Sequence, residues 1–515
     1  SVTYARDGQG RITSVSTRKD SLSPLEDLAV NIAWQPFGPL QSLDYGNGLT
    51  LWKTFDQDYR LDRLLVEDTG VSPSVLLLDR THGYQDDMNL THIWDGLNTA
   101  HDQTFWYTAT NRLQNASGAY GALTFYYDAN GNRTHRIVDQ GGGAPETKVF
   151  SYPSTNNLLF DVETNSVVTR TFAHDAAGNM SADTRGAVAY QYGYNANNRL
   201  ESVSTGGLLK GTYVYNAFEQ LVSRTRVNMS PAGTIHLIHD RDGNVIAETD
   251  GAGNTVREYV WLAQNDGDIP LPLAVIADVN TASPKTYFVH ADHLHRPVLM
   301  TDASKQVVWS ASYLPFGGEY QISGPASLDA RFPGQWFQLE SGLAYNWHRH
   351  YDPSLGRYTQ PDPLGFVDGP SRYAYAVNSP QVKVDKNGLV SAGRKQYCES
   401  LKKKIENISK KIEKRTDDYD ANPLNLPERI GPGEALRDTK RGHQTLINKD
   451  WRQREKLQKE YDKKCSDDDD EGGTCDACGA VGVAIGIAGI CAVCIAAPEV
   501  CALGVLGGAI YGGTQ

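Results

Sequence analysis

A short motif, Tyr-Asp-x-x-Gly-Asn, constrains this chain more than any other feature. It stands in full at Tyr127-Asp128-Ala129-Asn130-Gly131-Asn132 and returns with His first at His174–Asn179 and His239–Asn244. Looser copies run from Tyr194 to Leu200 and from Tyr215 to Leu221, with partial ones at Tyr4, Tyr45, Phe55 and Tyr107. The repeat length is roughly 20 residues, too short for a domain and right for one hairpin. Asn-Gly and Asp-Gly supply the positive φ that a twisted hairpin needs. The flanks, such as Leu123–Tyr127 and Tyr213–Tyr215, have strand composition. Each Tyr offers a ring for packing and a hydroxyl that can stay hydrated. Successive hairpins of this kind pair edge to edge into one long, winding sheet.

Charge divides the chain. The net charge is −12 overall. Residues 1–389 hold 29 Lys/Arg against 41 Asp/Glu, and residues 390–465 hold 20 against 13. The long acidic part therefore has no electrostatic case for nucleic acid, whereas the short basic part could meet nucleic acid or an anionic membrane. All seven cysteines follow residue 390. The sequence opens at Ser1 inside a partial repeat, Tyr4–Ile12, so further repeats, and any targeting signal, are expected upstream.

From Tyr287 the motifs become more specific. Asp292-His293-Leu294, Arg296-Pro297, Thr301-Asp302, Val307-Val308-Trp309 and Tyr313-Leu314-Pro315-Phe316-Gly317 occur in order. Arg331–Gln335, Glu340–Leu343, Tyr345-Asn346, Arg349–Pro353, Gly356-Arg357-Tyr358, Asp362-Pro363, Tyr373–Pro380 and Asp385–Leu389 complete the string. This series resembles the Rhs family of bacterial polymorphic toxins, whose YD repeats also occur in insecticidal toxin-complex C proteins. The resemblance implies a mainly β fold, a YD-repeat sheet spiralling into a hollow shell, followed by a toxin that differs from protein to protein; here the residues after 389 predict a small α-helical toxin domain. The resemblance covers residues 1–389. His290, His293 and His295 match no zinc-site spacing, so no metal and no cofactor is expected.

The resemblance also implies an aspartyl-protease-like site that cuts its own chain. Carried over, the carboxylates are Asp362 and Asp385, and the cut falls between Leu389 and Val390. Two carboxyls held close cannot both ionise, so one keeps a proton while the other activates water. Gly388 would let the backbone enter a tight site, and Arg349 would hold developing negative charge. Phe366 and Lys386 depart from the family pattern without removing a carboxylate. A surface protein with turn-forming aspartates is the plain alternative.

The segment after Leu389 must be argued from its own residues. Cys398, Leu401, Ile405, Ile408 and Ile412 make an apolar stripe on a Lys/Glu-rich helix. A second helix over 434–465 carries Ile447, Trp451, Tyr461 and Cys465 near one face, interrupted by Arg454 and Gln458. Packed antiparallel, the two would bring Cys398 and Cys465 together as a possible disulfide. Ala477–Pro498 is uncharged and long enough to cross a bilayer. Its small residues, Ala480, Gly482, Ala484, Gly486, Ala488 and Ala492, continue in Gly504 and Gly508, a spacing that suits close helix approach in lipid.

These features predict a shell over 1–320, a self-cleaving core over 321–389, a basic helical hairpin over 390–473 and a membrane-inserting tail over 474–515. The expected protein is a secreted antibacterial effector whose freed toxin permeabilises the target-cell membrane, so target-membrane lipid is a partner. A nuclease using Arg437, Lys440, Arg441, His443 and Glu455 is one alternative, although no metal-binding constellation accompanies them. A cell-surface protein binding carbohydrate is another. By resemblance, further partners are a cognate immunity protein and a secretion-system spike with its chaperone.

Overall fold

The structure, a computed structural model, describes residues 1–389 except 19–22, 37–38, 264–268 and 367. It also describes helical positions within 405–416 and 447–459. From β1 (Val2–Arg6) to β28 (Glu319–Ser323), 28 strands form one antiparallel sheet in which each strand pairs with the next. Each repeat is one hairpin of this meander.

The repeat residues build the same loop each time. In the copy at Asp128, the backbone N–H of Asp128 donates to Asn132 O at 2.9 Å. Its carboxylate accepts from Asn132 N at 2.8 Å and Asn132 Nδ2 at 2.9 Å. Gly131 takes φ +82° at the point where the chain reverses. Asn198 and Glu219 occupy that position in the looser copies at φ +58° and +61°, a conformation Glu adopts only under strain.

Just before Asp128, and before Asn195 and Asn216 in the looser copies, the strand bulges, between Tyr126 and Tyr127, Gly193 and Tyr194, and Val214 and Tyr215. The tyrosine there reaches back across the sheet. Tyr127 Oη donates to Leu113 O at 2.6 Å, Tyr194 Oη to Met180 O at 2.8 Å and Tyr215 Oη to Leu200 O at 2.7 Å. Trp34 and Trp261 do the same with their indole N–H, to Ile12 O and Val245 O, both at 2.8 Å. These hydroxyls therefore donate to protein carbonyls. They satisfy carbonyls near the bulge, and burial pushes the Tyr194 phenol well up.

The sheet winds far enough for its start to lie against its end. Tyr4 Oη bonds Trp261 O at 3.0 Å and Tyr45 Oη bonds Val289 O at 3.1 Å. Asp68 pairs with Lys305 at 2.7 Å. The wall curves without closing. Against its concave core sits a second, four-stranded sheet: β29 (Trp336–Gln338), β30 (Leu343–Asn346), β31 (Arg349–Asp352) and β32 (Arg357–Tyr358). Every residue of β30, β31 and β32 is buried.

Polar bonds fix this small sheet to the wall. Arg170 joins Asp183 of the wall to Asp352 of β31, at 2.5 and 2.6 Å. Tyr213 Oη donates to Glu340 at 2.9 Å, and Leu221 N donates to Tyr345 Oη at 2.9 Å. Asn378 Nδ2 bonds Gly131 O, inside a repeat loop, at 2.8 Å. The repeats thus form the seat on which the following segment is built.

In the helical positions, Ser409 accepts from Arg454 at 2.8 Å and Arg415 pairs with Asp450 at 2.5 Å. The numbers run in opposite senses, so the two helices are antiparallel. The second apolar face differs from expectation: Trp451 is half exposed, and the inward positions are Ile447 and Asp450. Arg454, which looked like an interruption, belongs to the contact face because Ser409 gives it a partner.

Candidate functional site

The small sheet brings residues distant in sequence to one buried point. Asp362 follows Pro361 in a turn whose backbone is held by Arg372, with Asp362 N donating to Arg372 O at 2.8 Å. Its Oδ1 accepts from Leu364 N at 2.8 Å. Asp385 lies at the start of a second turn, where its Oδ1 accepts from Gly388 N at 2.8 Å and Leu389 N at 3.0 Å. Arg349, on β31, stands between the carboxylates. Its Nη2 is 3.0 Å from Asp362 Oδ2 and 3.1 Å from Asp385 Oδ2.

Arg349 is 1% exposed, so its charge is matched inside the protein and not by water. Its Nε donates to Gly388 O at 2.6 Å, and Tyr358 lies beneath the guanidinium at 3.7 Å. Two carboxyls face one cation, so the site is neutral when it holds one proton. Burial pushes the Asp362 carboxyl above its usual range, with Arg349 acting against that shift.

Residues 385–389 are gripped along their length. Asn346 Nδ2 donates to Asp385 O at 2.9 Å, and His348 N and Nδ1 both reach Asn387 O, at 3.1 and 3.0 Å. Gly388 takes φ +76°, and a Cβ there would lie 2.5 Å from Asn346 O. A Cβ on Gly334 would collide with Lys386 O from the other side. The turn is thus held from outside as well as by Asp385, and its Gly388 and Leu389 are buried.

Asp362, Asp385, Arg349 and Leu389 therefore meet. Phe366 is exposed beneath Arg372, and Lys386 reaches Asp242 O at 3.4 Å, so the two departures from the family pattern lie outside the carboxylate contacts. Tyr358 and Asn346 also belong to the site, although sequence reasoning gave them no role. They sit in Gly356-Arg357-Tyr358 and Tyr345-Asn346, motifs visible in the chain but silent about their partners.

The three histidines of the earlier motif are engaged in the fold. His290 Nε2 bonds Thr301, while His293 and His295 bond the carbonyls of Gln381 and Ile269. Among the described residues no group of His, Cys, Asp and Glu could hold a metal ion. Val390, Cys398, Cys465 and the run holding Ala480, Gly482, Ala484, Gly486, Ala488, Ala492, Gly504 and Gly508 lie outside the described residues.

The structure thus defines a YD-repeat shell wall that seats a buried dicarboxylate site on its last segment. No protein-family model matches the chain. The solved structure of TcdB2-TccC3-TEV shares its fold with a TM-score of 0.63 at 16% identity, over 75% of this chain and 20% of that one. The toxin protein Tse5 of Pseudomonas aeruginosa is 37% identical over 121 residues, 24% of this chain and 9% of Tse5. The double-stranded DNA deaminase toxin A of Burkholderia cenocepacia is 25% identical over 362 residues, 64% of this chain and 24% of that protein. These likenesses support an Rhs/YD-repeat polymorphic toxin. The chain spans less than a quarter of the length of each of these relatives.

Proposed function

We propose that this chain is the toxin-bearing part of a secreted Rhs effector that frees its C-terminal segment by cutting itself after Leu389. One observation carries the proposal: Arg349 Nη2 bridges Asp362 and Asp385 while Asp385 holds the N–H groups of Gly388 and Leu389. In the reaction a water oxygen bonds to the Leu389 carbonyl carbon and the bond to the Val390 nitrogen breaks. The ionised carboxyl takes a proton from that water, the protonated one polarises the carbonyl, and a proton ends on the departing amine. Arg349 offsets the negative charge of the tetrahedral intermediate. Intact masses of the products test it: two fragments meeting at Leu389–Val390 support the reading, and a single full-length chain refutes it.

The domain scheme follows, with a shell to about residue 320, a cleaving core to 389, a helical toxin region to 473 and an apolar tail. The freed segment acts at the target-cell membrane, supported by the uncharged run Ala477–Pro498 and its small residues at every fourth position. Secretion machinery and an immunity protein are its expected partners, in keeping with its toxin relatives. A second reading has support of its own: one relative is named a DNA deaminase toxin and another a probable deoxyribonuclease. Potassium release from anionic liposomes by the processed protein separates them, since a nucleic-acid enzyme leaves the vesicles intact.

A further inference from the structure

The two aspartates occupy unequal surroundings. Asp385 accepts four hydrogen bonds: Gly388 N and Leu389 N on Oδ1, and Tyr358 Oη at 2.8 Å and Arg349 Nη2 at 3.1 Å on Oδ2. Asp362 accepts from two donors, Leu364 N on Oδ1 and Arg349 Nη2 on Oδ2. A carboxyl surrounded by donors has no acceptor to take a proton of its own.

The orientation of the Tyr358 hydroxyl is fixed by its neighbour. Asn346 Nδ2 donates to Tyr358 Oη at 2.7 Å and to Asp385 O at 2.9 Å. A carbonyl oxygen only accepts, so the amide must present its NH2 group to both. Tyr358 Oη therefore accepts from Asn346, and its single proton is directed at Asp385 Oδ2. All three side chains are buried, so no bulk water competes for these positions. A charge-assisted bond of this kind is about twice as strong as a neutral one.

We infer that Tyr358, oriented by Asn346, is a positioning residue that keeps Asp385 ionised and aimed at the Gly388–Leu389 turn, leaving Asp362 to carry the proton. This rests on the self-cleavage proposed above and adds a division of labour within the pair. Asp385 holds the strip to be cut and the near side of Arg349. Asp362, in the more sparsely bonded position, is the proton-bearing partner. The Tyr358 ring has a second task, supporting Arg349 from below at 3.7 Å, which the hydroxyl does not share.

The test is a pulse–chase of the full chain made by cell-free translation, chased between about pH 5 and about pH 8. The variants are Tyr358→Phe, Tyr358→Leu, Asn346→Ala and Asp362→Asn. Tyr358→Phe keeps the ring under Arg349 and removes only the hydroxyl. It is expected to slow cleavage about tenfold or more and to move the acid limb of the rate profile to higher pH, because the ionised carboxylate has lost a donor. Asn346→Ala leaves Tyr358 whole and is expected to shift the limb in the same direction by less. Tyr358→Leu removes ring and hydroxyl together and is expected to be slower than Tyr358→Phe. Wild-type rate and profile in Tyr358→Phe would overturn the inference while leaving self-cleavage standing. If Tyr358→Phe fails to fold, an unshifted limb in Asn346→Ala overturns it. Cutting after Leu389 in Asp362→Asn would instead refute the cleavage reading itself.

Discussion

Arg349 Nη2 lies 3.0 Å from Asp362 and 3.1 Å from Asp385, so one nitrogen is shared by two buried carboxyls 23 positions apart in the chain. That sharing makes the three residues one unit, and removing either acid leaves Arg349 to the other. Asp362→Asn and Asp385→Asn are each expected to lower cleavage by at least about a hundredfold and leave a full-length chain. Intact mass after purification at neutral pH reads the outcome. Acid must be avoided, because Asp362–Pro363 is itself an acid-labile bond. Two fragments from both variants would exclude the pair as the cutting site.

Gly388 gives a sharper geometric test, one residue before the proposed cut. At φ +76° a side chain costs about 1–2 kcal/mol. Its Cβ would also press to 2.5 Å from Asn346 O, an atom of the buried β30. Gly388→Ala is expected to push residues 386–389 out of the grip of Asn346 and His348. Uncut chain should accumulate while the melting temperature of the shell is unchanged, since the wall does not depend on that strip. Normal cutting by Gly388→Ala would show that the strip is not held in this conformation when it reacts.

The repeat was legible because one local rule generates it. A bulge, an aspartate and a left-handed residue lie within six positions, and Tyr127–Asn132 states all three. Asp362 and Asp385 were legible through ordered motifs. Tyr358 and Asn346 were not, because their partner in Asp385 lies 27 and 39 positions on and is brought near only by β30 and β32. The faces of the helical pair failed for a related reason. Asp450 and Arg454 look polar in a list of residues, yet Arg415 and Ser409 across the contact satisfy them. The carbonyl partners of the tyrosines were not legible, because the motif does not show that a bulge leaves a carbonyl in need of a donor.

Four histidines make the wall sensitive to acid. Burial pulls His82, His290 and His295 down to about 3 and His293 to about 4. His82 and His293 face each other at 5.3 Å, and Lys53 lies 3.4 Å from His295. Asp292 is the one acid among these cations and is already paired with Arg296 at 2.6 Å. The unfolded chain binds protons at these sites near pH 6.5, and the folded chain does not until much lower. Their stabilising contribution is therefore complete above about pH 6.5 and is lost as pH falls toward 4. A melting temperature several degrees lower at about pH 5 than at about pH 7.5, with proton uptake on unfolding, is expected. Equal melting temperatures would mean that these imidazoles are reached by water.

The reach-back tyrosines set how far the wall can be weakened one repeat at a time. Tyr127→Phe leaves the ring in place and strips Leu113 O of its 2.6 Å partner beside the bulge. The carbonyl then lacks a donor, a loss of about 1–3 kcal/mol. Tyr194→Phe and Tyr215→Phe act on Met180 O and Leu200 O in the same way. Tyr127 lies several hairpins from the other two, so its loss should add to either. Trp261 serves Val245 O with an indole N–H at 2.8 Å, so the wall needs a donor of the right reach and not a phenol as such. Tyr194→Trp is accordingly expected to recover part of what Tyr194→Phe loses, measured by urea unfolding of the Asp362→Asn chain. That background keeps the polypeptide in one piece, so the comparison reports the wall alone. If Tyr194→Phe is as stable as its parent, the bonds are incidental and packing of the rings alone holds successive hairpins in register.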